Sequence, residues 1–341
     1  MTGGGMSNPP NTPNYINGAY VNVPLVRELS DSIGRAGLLR KFLFERPAAV
    51  MPTGTIPVHP ITNTSLETCR GQDETHLYRL GHSNILMKFG RDYWITDPVF
   101  SARVSLSQWI GPKRFHQPPL TITDLPKIKA VVISHNHYDH LDRAAIRALA
   151  PSTEKFIVPL GVAQYLRRWG VKAHQIVELD WWQTHHWGEV EVTATPSQHF
   201  SGRGLRDRNK SLWASFVFRH DGKAMFFGSD SGYFDGFKKI ADRFGGFEIT
   251  MLESGAYDAA WPNVHMTPEQ CVQAHQDLGG GVLMPIHNAT FSLAFHPWKE
   301  PLDRLTALAQ QGGHSLLTPH IGEQVVVGAP VTANPWWADI V

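Results

Sequence analysis

The first helical pattern of apolar positions lies over Pro24–Phe44, where Leu25, Leu29, Ile33, Leu38, Leu39, Phe42 and Leu43 are interleaved with Arg27, Glu28, Arg35, Arg40 and Lys41. This spacing predicts an amphipathic helix interrupted at Gly34 or Gly37. Its apolar side could dock on the protein's own core, on a second subunit or on a lipid surface. Residues 1–22, dominated by Gly, Pro and Asn, are expected to form a flexible arm. Pro47–Pro60 is a proline-rich connector. The pattern therefore divides the chain into an arm over 1–22, a helical extension with its connector over 23–70, and one domain over 71–341.

From His76 onward short apolar runs take over. Leu77–Phe89 and Tyr93–Thr96 read as two strands joined through Gly90-Arg91-Asp92, a hairpin signal. Ala130–Ile133, Lys155–Pro159, Ile176–Leu179 and Glu189–Ala194 are further strands, and Leu141–Ala150 and Gly161–Trp169 have helical spacing. The tail adds a helix over Pro301–Gln310 and the runs Leu316–Pro319 and Glu323–Val327. Strand and helix alternate, which places the chain in the α/β class.

Composition narrows the function classes. With 31 basic against 30 acidic residues in 341, the electrostatic footprint of a nucleic-acid binder is missing. Two cysteines, Cys69 and Cys271, make no disulfide framework and fit a reducing, cytoplasmic setting. No signal pattern and no long uncharged apolar run stand out, so a soluble or membrane-peripheral protein is expected. The tryptophan count of 11 is compatible with a homodimer interface.

The chemistry concentrates in Ser134–Asp142, which carries three imidazoles and two carboxylates directly after the apolar run Ala130–Ile133. Neutral imidazole and ionised carboxylate suit borderline metals such as zinc. His135 and His137 can face one ion, while Asp139 and His140, further round the turn, face a second. A helix cap explains Asp139 or Asp142 but none of the histidines. Three later positions also follow apolar runs: His199 after Val190–Thr195, Asp230 after Ala224–Phe227 and His287 after Gly281–Ile286. His82 and Asp97 are candidates to support the ligands from behind, or to make ordinary structural hydrogen bonds.

These residues resemble the motifs of the metallo-β-lactamase superfamily, here Asp97, His135-Asn136-His137-Tyr138-Asp139-His140, His199, Asp230 and His287, across roughly residues 75–325. Gly111–Arg114, Asn209–Trp213, Gly228–Phe234 and His265, 22 positions before His287, are similar to the branch of N-acylphosphatidylethanolamine-hydrolysing phospholipase D and its bacterial relatives. The resemblance implies a four-layer αββα sandwich and two zinc ions. His135, His137 and His199 would hold the first, Asp139, His140 and His287 the second, with Asp230 bridging.

It further implies a phosphodiesterase in which a hydroxide shared by the two ions attacks phosphorus in line. Asp139 and His265 are then the catalytic candidates, His265 serving the leaving group. A helix cap or an ordinary structural histidine are the other readings of His265. Arg203 and Arg206, in the basic loop Ser201–Lys210, could hold a phosphate, or could simply be solvated. Asn288-Ala289 stands where lipase-like relatives have Trp-Gly, which makes Asn288 a candidate wall of the substrate pocket. The substrate expected is a lipid-like or small-molecule phosphodiester. A sugar-lactone or carboxylic ester hydrolase on the same two ions is the alternative, and a non-catalytic metal-containing interaction protein a third. The histidine at 137 speaks against flavin-linked oxygen reduction.

Overall fold

A computed structural model describes residues 12–30, 37, 40, 41, 49–331 and 334–341. Among them, two mixed sheets of seven strands each lie face to face. The first contains β3 (His76–Gly81), β4 (Asn84–Phe89), β5 (Asp92–Thr96), β6 (Ile128–Val132), β7 (Lys155–Pro159), β8 (Ile176–Leu179) and β16 (Gln324–Val326), in the order β16-β3-β4-β5-β6-β7-β8. The second contains β9 (Thr184–Trp187), β10 (Val190–Thr195), β11 (Ser215–His220), β12 (Lys223–Ser229), β13 (Phe247–Glu253), β14 (Gly280–Ile286) and β15 (Ser315–Leu316), in the order β15-β14-β13-β12-β11-β10-β9. Each sheet is antiparallel in one half and parallel in the other.

Both faces of the central strands are apolar because both are covered. In β4, Ile85, Met87 and Phe89 point between the sheets, where they meet Val192, Phe216, Phe218 and Phe227 of the second sheet. Leu86 points outward instead, toward Leu66 and Cys69 of α1 (Asn63–Arg70) and Ile146 of α2 (Arg143–Leu149). The second sheet's outer face is covered by α4 (Gly236–Phe244), α5 (Pro268–Asp277) and α6 (Glu300–Gly312); α3 (Ala163–Arg168) joins the first sheet's cover. The result is the αββα sandwich. Helix starts follow ordinary capping chemistry: Thr62 caps α1, Asp142 caps α2, and Thr267 rather than His265 caps α5, ahead of Pro268.

Three expectations change. The run Leu77–Phe89 is two strands, turned at Gly81-His82 with φ of 119° and 55°, so the apolar stretch hides a tight turn that lifts His82 to the sheet edge. The described part of the expected arm, residues 12–22, is docked: Tyr15–Ile16 (β1) and Ala19–Tyr20 (β2) pair, and Tyr20 packs with Leu212 and Trp213. Its two tyrosines give the arm something to bury; residues 1–11 lie outside the described residues. Of the helix expected over Pro24–Phe44, residues 24–30 are non-helical, Gly37, Arg40 and Lys41 are helical, and 31–36, 38–39 and 42–44 lie outside the described residues. The non-helical stretch is a strap tied to the domain by Ser30 N donating to Ala260 O (2.8 Å) and Asn263 Nδ2 to Arg27 O (2.9 Å). None of the described helices is long and apolar enough to cross a membrane.

Candidate metal centre

The strand ends of the two sheets meet along one edge, and each delivers a polar side chain there. β6 leads into the loop His135–His140, β10 into His199, β12 into Asp230, β14 into His287, and the β3–β4 turn presents His82. Left-handed backbone recurs at this edge, at His82, Asp97, Ser229, His287 and Ala289, with φ between 35° and 61°. Such conformations cost roughly 1–3 kcal/mol each and persist where packing enforces them. Packing does so at His287: its carbonyl lies against Gly255, where a Cβ would come within 1.9 Å of it.

Two groups of side chains converge closely enough to hold a cation each. His135, His137, His199 and Asp230 form one; His82, Asp139, His140 and His287 form the other. In the first, His137 Nδ1 lies 2.8 Å from His135 Nε2 and 3.3 Å from His199 Nε2, and Asp230 Oδ2 is 3.8 and 3.7 Å from the latter two nitrogens. Asp230 also reaches the second group, with Oδ2 3.1 Å from His140 Nε2 and Oδ1 3.2 Å from His287 Nε2. Its carboxylate is shared by geometry. Asp139 Oδ2 gathers His82 Nε2 at 3.0 Å, His287 Nε2 at 3.3 Å and His140 Nε2 at 3.4 Å.

In His135, His140 and His199 the outer ring nitrogen is taken by the fold, which leaves the inner one for a metal. His140 Nδ1 donates to Asp97 Oδ2 (2.7 Å), and His199 Nδ1 to Val264 O (2.9 Å); His135 Nδ1 pairs with Ser134 Oγ (2.9 Å). Asp97 is a hub, also accepting from Ser134 N (2.7 Å), Ser134 Oγ (2.6 Å) and Ser229 Oγ (3.3 Å). His140 Nε2 and Asp230 Oδ1 are buried without a hydrogen-bond partner. Buried polar atoms in that state fit a cation that would satisfy them.

Electrostatics agrees with that fit. Burial holds the imidazoles of His135 and His199 well below their ordinary range, His137 down to about 4 and His82 to about 3, so these rings keep lone pairs for a metal. Burial alone would push Asp139 and Asp230 up, but the charge on His140 overrides it and holds both carboxylates well below the usual range. Reciprocally, burial opposes charge on His140 and His287, yet Asp230 outweighs it, raising His140 well above its ordinary value and His287 to about 10. Two buried carboxylates thus demand positive charge here, and divalent cations would supply it in place of protons.

A cavity of about 480 Å³ opens over the two groups, reached by His137, Asp139, Asp230 and His287 on its floor. Leu29, Phe200, Trp261 and Leu293 give it apolar walls. Arg208 is its cation, stacked 5.2 Å from the Phe200 ring and ion-paired with Glu28 of the strap. His265 lines the same cavity, with its ring centroid 5.1 Å from His199 and 5.5 Å from His287. Its Nδ1 lies 3.3 Å from Oε1 of the fully buried Glu253, which also accepts from Met266 N (2.7 Å).

None of the three expected substrate residues, Arg203, Arg206 and Asn288, lines this cavity. Arg203 Nη1 donates to Asn136 O (2.8 Å), His137 O (3.3 Å) and Leu141 O (2.7 Å), and its guanidinium stacks 3.9 Å from the Tyr138 ring. It braces the ligand loop from outside because those loop carbonyls have no strand partner. Asn288 turns into the core: its Oδ1 accepts from Arg79 Nη2 at 2.6 Å and its Nδ2 donates to Ile286 O at 3.0 Å. Buried Arg79, its guanidinium pushed down to about 10 by desolvation, needs that acceptor. Arg206 is exposed on the outer loop. Within the expected basic loop it is Arg208 that lines the cavity; the motifs do not single out Glu253, Glu28 or Asn22, the last of which exchanges hydrogen bonds with the His199 backbone through its side chain (2.8 and 3.0 Å). His82, expected behind the ligands, stands among them.

Residues 93–288 match the family model described as the Beta-lactamase superfamily domain. Over 331 residues the chain is 41% identical to the uncharacterised protein Mb0930 of Mycobacterium bovis, covering 96% of this chain and 87% of that one. It is 32% identical over 267 residues to N-acyl-phosphatidylethanolamine-hydrolyzing phospholipase D 1 of Caenorhabditis elegans, covering 74% of each. In fold it is similar to Igni18, a metallo hydrolase from the archaeon Ignicoccus hospitalis, with a TM-score of 0.56 at 20% identity over 75% of this chain and 99% of that one. The paired sheets, the convergent imidazoles and carboxylates and these similarities lead to one conclusion: the chain belongs to the metallo-β-lactamase superfamily and is a metal-dependent hydrolase.

Proposed function

We propose that the chain is a zinc-dependent phosphodiesterase of N-acylphosphatidylethanolamine phospholipase D type, acting on an amphiphilic phosphodiester. The observation that carries this reading is the cavity itself. It combines the two candidate metal groups with one arginine and four large apolar walls, so an anionic phosphate and an apolar chain have complementary surfaces in the same space. The similarity to the nematode phospholipase D supports it.

His135, His137 and His199 would hold one zinc ion and Asp139, His140 and His287 the other, with Asp230 between them and His82 beside Asp139. Two such cations would supply acidified water and neutralise charge on phosphoryl oxygens. The protein's own residues do the remaining work. Asp97 fixes the His140 ring so that Nε2 faces inward. Arg208, released from Glu28, pairs with a non-bridging phosphate oxygen. His265 donates from Nε2, the ring nitrogen turned away from Glu253, to the departing alkoxide. Leu29, Phe200, Trp261 and Leu293 take the apolar part of the substrate and exclude water from the reacting phosphorus.

The test is a panel of N-acylphosphatidylethanolamine, bis-p-nitrophenyl phosphate, a homoserine lactone and a sugar lactone, run together with metal analysis. Hydrolysis of the phosphodiesters is expected; hydrolysis of the lactones alone would replace this reading with an ester or lactone hydrolase.

A further inference from the structure

Beside the cavity, two ordered loops expose side chains that water does not favour. The loop from Val99 to Arg114 is pinned at its base, where Arg114 donates to Val99 O (2.9 Å) and Ser101 O (3.1 Å), and Asp142 accepts from Phe100 N (3.1 Å) and Ser101 N (2.8 Å). Higher up, Val104 N donates to Pro112 O (3.2 Å), and Arg103 and Gln108 exchange hydrogen bonds of 3.0 and 2.9 Å. Its tip is nevertheless bare: Leu106 is 86% exposed, Trp109 90% and Ile110 69%. The second loop, held by Asp207 accepting from Gly204 N (2.7 Å) and Arg203 N (3.1 Å), leaves Leu205 wholly exposed.

Single exposed apolar residues are ordinary, but a leucine, a tryptophan and an isoleucine within five positions of a braced loop require a reason. Packing inside the domain is not that reason, because the loop's own hydrogen bonds already fix its shape.

Both loops are rooted on Tyr138. Its ring packs in the cluster containing Val99 and Val104, and its hydroxyl donates to Arg203 O (3.0 Å). Leu293, packed in the same cluster, also lines the metal cavity, so the roots of both loops adjoin that cavity. Charge identifies the partner. From Val99 to Gln117 the sequence has no carboxylate, while Arg103 and Lys113 flank the apolar tip and Arg206 follows Leu205, in a chain whose overall charge is nearly balanced. The 99–117 loop, with apolar side chains including a tryptophan, flanking cations and no carboxylate, matches an anionic bilayer surface; Asp207 beside Leu205 is turned to backbone amides of its own loop.

We propose that the 102–113 loop docks the enzyme on an anionic lipid bilayer, with Leu106, Trp109 and Ile110 entering the acyl boundary and Leu205 beside them. The docked orientation brings the cavity mouth to the headgroups, so a lipid phosphodiester reaches Arg208 and the metal groups without leaving the membrane. This deepens the lipid-phosphodiester reading and rests on it for its purpose, but not for its test.

The test is co-sedimentation of the full chain with vesicles of phosphatidylcholine alone and of phosphatidylcholine with phosphatidylglycerol. Wild type should partition onto the anionic vesicles in a salt-sensitive way. The triple variant Leu106→Ser/Trp109→Ser/Ile110→Ser should lose about tenfold or more of that partitioning, and Lys113→Glu a smaller part. Both should turn over soluble bis-p-nitrophenyl phosphate as wild type does. The proposal is overturned if wild type ignores anionic vesicles, if the triple variant binds them equally well, or if the triple variant instead converts a dimer to a monomer, which would assign the loop to a second copy. A wild type that binds vesicles but leaves the soluble phosphodiester intact would overturn the phosphodiesterase reading and leave the docking surface standing.

Discussion

The metal-binding groups and the cavity mouth above them are built by different means. His135–His140 follow β6, His199 follows β10, Asp230 β12 and His287 β14, with His82 in the β3–β4 turn, and the rings of His135, His140 and His199 are fixed by Ser134, Asp97 and the Val264 carbonyl. The mouth is shaped instead by Glu28 and Leu29 of the strap and by Arg208, Trp261 and Leu293 of longer connections, with Phe200 next to His199. A sheet edge fixes the positions of chemistry within narrow tolerances, while loops can vary what is admitted to it. Function therefore divides in the same way: the edge sets the reaction, the mouth sets the substrate.

Substitutions can break that division. The largest effect is expected from Asp230→Ala, because one carboxylate is shared by both groups: metal content should fall at both, and turnover of bis-p-nitrophenyl phosphate by more than about a hundredfold. Metal analysis beside steady-state rates checks it, and a variant that keeps two ions would deny Asp230 its bridging place. Asp97→Ala should follow, with a loss of about 10–100-fold in metal affinity, read by competition with a chelator. It touches no substrate, so KM should stay constant once metal is saturating.

At the mouth the effects should be smaller and of another kind. Glu253→Gln should lower kcat about tenfold with little change in KM, since it alters how His265 is held rather than what binds. Arg208→Ala should raise KM for an anionic phosphodiester about tenfold and leave a neutral ester unaffected. An equal effect on both would remove Arg208 from substrate recognition. Asn288→Ala should do neither. It strips the buried Arg79 guanidinium of its 2.6 Å acceptor and should cost about 1–3 kcal/mol of stability in denaturant titration, with kinetics unchanged.

The same division explains what could be read in the chain. The superfamily, the sandwich and the metal-dependent hydrolase follow from motifs whose spacing is tied to strand ends, and strands announce themselves by apolar runs. His82 is hard to place from sequence because Gly81-His82-Ser83 lies inside one long apolar run, where a left-handed turn leaves little compositional trace. Glu253 carries a usable signal, a carboxylate closing the run Phe247–Glu253 after Ile249, Thr250, Met251 and Leu252, which follow the exposed Glu248. Arg203 and Arg208 lie five positions apart in one basic loop, yet one braces the ligand loop and the other lines the cavity. No periodicity distinguishes them, since loop direction is set by tertiary contacts. The docked hairpin over residues 15–20 was hidden by the Gly, Pro and Asn around it, although Tyr15 and Tyr20 were the clue.

The central claim, a two-ion centre that cleaves phosphodiesters, is tested most directly by stripping the protein with a chelator and titrating zinc back while following bis-p-nitrophenyl phosphate turnover. Two groups sharing Asp230 predict that activity rises until two ions are bound per chain. Full activity at one ion, or no phosphodiester turnover at two while a lactone is hydrolysed, would contradict it.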